Sequence, residues 1–151
     1  MENIVIQSTK DNIVHAEELI YDVCASNHVE KYYGVISVAV LQAVENAIIH
    51  GNHCDANKKV KVEWGNCKGG MFFEIKDEGA GFATEQYGGL PMEGEKGEGI
   101  FLMKTLADKI VYSENGSRVR LEFKIDGIEV SESEKRCSLL DNFFIPNLIN
   151  A

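Results

Sequence analysis

Apolar positions along the chain repeat with two different periods, and the changes of period mark the elements. Asn3-Ile4-Val5-Ile6-Gln7 is short and β-branched and predicts a first strand. Ser8-Thr9-Lys10-Asp11 then offers capping residues for a helix running to about Ser26. Its inner face carries Ile13, Ala16, Leu19, Ile20, Val23 and Cys24 at helical spacing. After a polar connection over 27–34, a second, more apolar helix is predicted from about 35 to 50, closed by Gly51-Asn52 as a left-handed cap. Residues 58–64 and 71–77 read as two antiparallel strands joined by a turn over 65–70. In the first of them Val60, Val62 and Trp64 alternate with Lys59, Lys61 and Glu63.

Beyond Asp77 the pattern breaks. Residues 78–99 hold seven glycines and a proline among few apolar residues, which predicts an irregular loop. Helical spacing returns through Ile100, Phe101, Met103, Leu106 and Ala107, and 109–113 with 117–125 form a second hairpin across Glu114-Asn115-Gly116. The last stretch joins a solvated charge run, Glu132-Ser133-Glu134-Lys135-Arg136, to an apolar segment that fits no element. There are no internal repeats. Residues 1–127 are read as one domain and 128–151 as a C-terminal tail of unassigned role.

Composition narrows the function classes. A chain of 151 residues supports one domain with a real core and is too short for two of ordinary size. A net charge of −9 argues against general nucleic-acid binding and against an anionic membrane surface, both of which call for a basic footprint. No window approaches roughly 18 uninterrupted apolar residues, and Met1-Glu2-Asn3-Ile4 lacks a basic-then-apolar signal pattern, so the chain is read as cytoplasmic. Cys24, Cys54, Cys67 and Cys137 form no CxxC pair and are read as reduced thiols.

The candidate chemistry starts on the second helix. Gln42, Asn46 and His50 fall at i, i+4 and i+8, a polar line through apolar surroundings. Such a strip costs stability unless something bonds to it, and a metal ion carrying phosphates would do so. A plain wet helix face is the competing reading. His50, His53, Cys54 and Asp55 crowd together but match no zinc spacing, so they are read as a helix end and polar loop.

Three boxes appear in order: Glu45-Asn46-Ala47-Ile48-Ile49-His50-Gly51-Asn52, Asp77-Glu78-Gly79-Ala80-Gly81-Phe82, and Gly97-Glu98-Gly99-Ile100-Phe101-Leu102-Met103-Lys104. They resemble the N box, the DxGxG box and the second glycine box of the GHKL, or Bergerat-fold, ATPases. Within that superfamily the wording is most similar to anti-sigma factors of the RsbW serine-kinase type. The resemblance spans roughly residues 3 to 125. It implies an α+β fold, an α/β sandwich with a mixed, mostly antiparallel sheet and helices on one face, with ATP and Mg²⁺ between the Asn46 helix and a lid over 78–99. Asp77 would accept from the adenine amino group, with Gly79 and Gly81 keeping side chains clear of the ligand. Gly97 and Gly99 would turn free amides toward phosphate, Asn46 would give Mg²⁺ an oxygen, and His50 belongs to the same box.

The departures concern catalysis. Kinases of this type carry a glutamate general base four residues before the N-box asparagine, where this chain has Gln42, which cannot accept a proton. Glu45 points about 100° away from Asn46 on a helix and is a doubtful substitute. Relatives often place an arginine near the second glycine box; here only Lys96 could serve. Two readings of different classes follow from the resemblance. One is a serine/threonine protein kinase that phosphorylates an anti-sigma-factor antagonist of STAS type and sequesters a sigma factor in another partner state. The other is a nucleotide-gated binding switch with weak or absent transfer. A histidine kinase catalytic fragment ranks below both, since there is no room for a phosphoacceptor hairpin. A homodimer is possible in such a family, and the acidic surface would suit partners with basic patches.

Overall fold

A computed structural model describes residues 2–80 and 96–125. The elements run β1 (Glu2–Gln7), α1 (Ile13–Ser26), α2 (Tyr33–Asn46), β2 (Lys59–Cys67), β3 (Gly70–Lys76), α3 (Lys96–Leu106), β4 (Lys109–Ser113) and β5 (Arg118–Lys124). The five strands form one sheet in the order β1-β2-β3-β5-β4, and all four pairings are antiparallel. The architecture is the expected α+β sandwich. Residues 81–95, with Gly81 and most of the anticipated lid, and the tail 126–151, with Cys137, lie outside the described residues.

Period-two alternation decides which face of the sheet is covered. Val60 and Val62, then Met71, Phe73 and Ile75, then Val119, Leu121 and Phe123 point inward and are buried. One line of paired residues, Ile4, Val62, Ile75, Val119 and Tyr112, crosses all five strands. The helices supply the opposing layer through Ala16, Ile20, Val23 and Cys24 of α1, Ile36, Ala39, Val40, Ala43 and Val44 of α2, and Leu102, Met103 and Leu106 of α3. The other sheet face carries ion pairs instead. Arg118 Nε lies 3.0 Å from Glu74 Oε1, Arg120 Nη2 lies 3.3 Å from Glu122 Oε1, and Lys61 pairs with Glu63. Arg120 also covers the ring of Phe72 at 3.8 Å.

The helical run Glu30–Gly51 is long and apolar enough to cross a membrane by length and composition only, although polar residues interrupt it. Half of its most apolar window is buried inside the protein, where it packs against α1, α3 and the sheet as the central core helix.

Several local expectations are corrected. The first strand leads into a short 3-10 turn, Lys10–Asn12, before α1, and no side-chain cap bond closes either helical start. Thr9 Oγ1 accepts from Asn12 Nδ2 at 2.6 Å, while Ser8 is buried and bonds to Lys58 O. Residues 65–67 belong to β2, because they pair with Phe72, Met71 and Gly70; the turn is only Lys68-Gly69, with Gly69 at φ +80°. The end of the central helix differs most. After Asn46 it widens into a π turn, Ala47–Gly51, in which Asn52 N donates to Ala47 O five residues back, at 2.8 Å. Gly51 has no left-handed φ; that conformation falls on His53 (φ 54°) and Cys54 (φ 57°).

Candidate functional site

Alternation along β3 carries past its last residue. Asp77 stands two residues beyond Ile75, so its side chain continues the inward row, and its N–H donates to Ser117 O at 2.9 Å. The carboxylate is only 8% exposed, and its Oδ1 accepts from Gly79 N at 2.8 Å. Across from it, the last turn of α2 brings up Asn46. The two line one cleft with Ala43 and Ala47 of the same helix, Ile75, Met103 of α3, and Tyr112, Gly116, Ser117 and Val119 of the second hairpin.

Asn46 is the polar group in this cleft with an unmet demand. Its Nδ2 is buried and has no hydrogen-bond partner. A buried amide donor left unsatisfied costs about 1–3 kcal/mol, a cost that persists where a ligand supplies the missing partner. Tyr112 is also set in the wall, where burial pushes its phenol up to about 12, so it stays protonated.

The glycines beside the site are required by close approach. A Cβ on Gly51 would sit 2.3 Å from Asp77 Oδ2, and one on Gly79 would sit 2.1 Å from the Gly51 carbonyl oxygen. The π turn, the Asp77 carboxylate and the loop after it are therefore nested at van der Waals contact. Glycine at Gly51 serves the site rather than a helix cap.

The other predicted residues separate. Gln42 and Glu45 are half-buried and His50 is exposed, and none of the three lines the cleft among its described residues. His50 lies within the π turn that follows Asn46 and is exposed there instead of standing in the cleft wall. Lys96, Gly97 and Gly99 form the opening turn of α3, the helix whose Met103 reaches the cleft. Among the described residues no group of three or more His, Cys, Asp or Glu side chains stands close enough for a common metal ion.

The model of the histidine kinase-like ATPase domain matches residues 6–123, from within β1 to within β5, and so takes in every described helix and all five strands. The chain belongs to the histidine kinase-like ATPase family. Curated relatives include the anti-sigma F factor of Clostridium perfringens strain SM101, 33% identical over 96 residues, which are 59% of this chain and 69% of that protein. The anti-sigma F factor of Clostridium botulinum strain Eklund 17B is 31% identical over 100 residues, 60% of this chain and 70% of the relative.

An ATPase-family domain implies nucleotide binding, and the donor set of the cleft fits a nucleotide. Asp77 offers a buried carboxylate, Asn46 offers an Nδ2 donor without a partner, and the remaining lining is apolar apart from the Tyr112 and Ser117 hydroxyls. Rotating the Asn46 amide exchanges its donor for its oxygen, so the same residue can face either a phosphate oxygen or a cation. Ser117, Tyr112, Gly116 and Met103 escaped the reading from sequence. Ser117 was the recoverable one: stepping back by twos along Phe123, Leu121 and Val119 reaches it on the inner face, directly after the Asn115-Gly116 turn.

Proposed function

We propose that this protein is an ATP-binding anti-sigma regulatory factor with serine/threonine kinase activity toward a STAS-type anti-sigma-factor antagonist. The observation that carries the nucleotide part is the partnerless Asn46 Nδ2 in the same cleft as Asp77. Asp77 reads the purine amino group and Asn46 holds Mg²⁺, which when bound would screen the phosphate charge. Gly79 packs against Gly51 and donates its N–H to the Asp77 carboxylate, with Gly81 following in the same box, and Gly97 and Gly99 direct backbone amides of the opening turn of α3 toward the phosphates. Lys96 is the candidate cation for the terminal phosphate. The sigma-factor partner is inferred from the anti-sigma F factors that the chain resembles. The protein works in the cytoplasm, as its partners require.

A second reading is favoured by one residue. Gln42 stands where such kinases carry their base, which favours a nucleotide-gated binding switch in which transfer is slow and partner exchange is the output. Loss of a base need not abolish phosphoryl transfer, which depends mainly on positioning and charge neutralisation. Incubation with γ-labelled ATP, Mg²⁺ and a STAS-domain antagonist separates the two. Label on the antagonist that vanishes in Asn46→Ala supports the kinase, and tight ATP binding without transfer supports the switch. Titration calorimetry that detects neither ATP nor ADP, with or without Mg²⁺, would overturn both.

A further inference from the structure

Asn52 closes the π turn and is completely buried. Every polar group of its side chain is used, and each bond goes to a different segment. Nδ2 donates to Ser8 Oγ at 2.7 Å, at the end of β1, and to Lys59 O at 3.0 Å, at the start of β2. Oδ1 accepts from Glu78 N at 2.8 Å, the amide directly after Asp77. Ser8 is itself tied down, its hydroxyl donating to Lys58 O at 2.7 Å. The Glu78 carboxylate in turn accepts from Lys59 N, so the loop after Asp77 is fastened to the start of β2 once directly and once through Asn52. Asp77 reaches its own partner, Gly79 N, within this fastened turn.

We propose that Asn52 is a positioning residue for nucleobase recognition: its amide fixes the Asp77-Glu78-Gly79 turn against the Asn46 helix and thereby sets the direction in which the Asp77 carboxylate faces the base. The inference rests on the nucleotide-site reading above. A glycine-bearing turn has wide conformational freedom, and a side-chain amide bonded to its middle N–H removes that freedom without occupying the cleft. The second point of contact, Gly79 against the Gly51 carbonyl, resists compression of the turn, while the Asn52 bond resists its opening.

The test compares ATP with ITP, which carries an oxo group in place of the adenine amino group, by titration calorimetry on the full chain. Wild type is expected to prefer ATP. Asn52→Ala is expected to lose about tenfold in ATP affinity while ITP affinity stays, so the ratio falls toward one. Ser8→Ala removes one anchor of the same network without touching the Glu78 bond; it is expected to lower the melting temperature and keep the ATP/ITP ratio. Should Asn52→Ala fail to fold, Asn52→Ser gives the same readout, its hydroxyl being too short for the Glu78 amide yet able to stay polar beside Ser8 and Lys59. An ATP/ITP ratio in the Asn52 variants equal to wild type, or one that falls equally in Ser8→Ala at the same loss of melting temperature, overturns the positioning role alone. Wild type that binds no ATP overturns the nucleotide reading itself.

Discussion

Asn46 and Gly79 meet opposite physical demands, and their substitutions should separate stability from function. Asn46 keeps a buried donor without a partner, so removing it relieves a cost of about 1–3 kcal/mol in the folded protein. Asn46→Ala is therefore expected to melt no lower than wild type while losing Mg²⁺-dependent ATP binding; a thermal melt beside a calorimetric titration checks both. A clear drop in melting temperature would mean that the amide already has a partner in the folded chain. Gly79 is the reverse case. A methyl group there meets the Gly51 carbonyl at 2.1 Å, which backbone must yield to accommodate, and overpacking of this kind costs about 1–3 kcal/mol. Gly79→Ala is expected to lower the urea midpoint of unfolding and weaken ATP binding together, in urea denaturation and titration respectively.

At the scale of elements, the central helix carries two kinds of information. Its α-helical part, Tyr33–Asn46, is built by apolar packing on α1, α3 and the sheet, and it presents Gln42 one turn before Asn46. Its π turn redirects the chain so that Gly51 and Asn52 meet the Asp77 loop, which an uninterrupted α-helix over the same residues would not achieve. The register between Gln42 and Asn46 is undisturbed. Gln42→Glu should therefore restore a proton acceptor in its family position and raise single-turnover phosphoryl transfer to an antagonist by about 10²-fold or more, with ATP affinity unchanged. A rate equal to wild type in that variant would move the rate limitation from the base to positioning.

For the whole molecule, pH dependence at the alkaline end follows from two groups built into the core. Burial, reinforced by the Glu30 carboxylate, pushes the Cys24 thiol from 9.0 to about 11, and burial pushes Tyr112 from 10.0 to about 12. Both remain protonated in the fold where the unfolded chain releases its proton. Their stabilising contribution is thus complete below about pH 9 and is lost as pH rises through 11 and 12. Melting temperature is expected to fall over that window, and Cys24→Ala is expected to flatten the portion between 9 and 11. A profile that is identical in the variant would remove Cys24 as a cause.

The sequence by itself determined the elements, the covered face of the sheet and the order of the three boxes. Each of these rests on local spacing: alternation along β2, β3 and β5 selects the inward row, and helical spacing in α1 selects its buried stripe. Asp77 and Asn46 were legible because each sits in phase with its own element. The tertiary structure decided what depends on approach between distant segments. It joined Ser117 to Asp77, bound Asn52 to Ser8 and Glu78, left His50 exposed in the π turn and gave Gly51 a reason unrelated to its helix. Spacing along a chain states which side of an element is buried. Only the packing of one element on another fixes which atoms meet there and where a missing Cβ is the condition for contact.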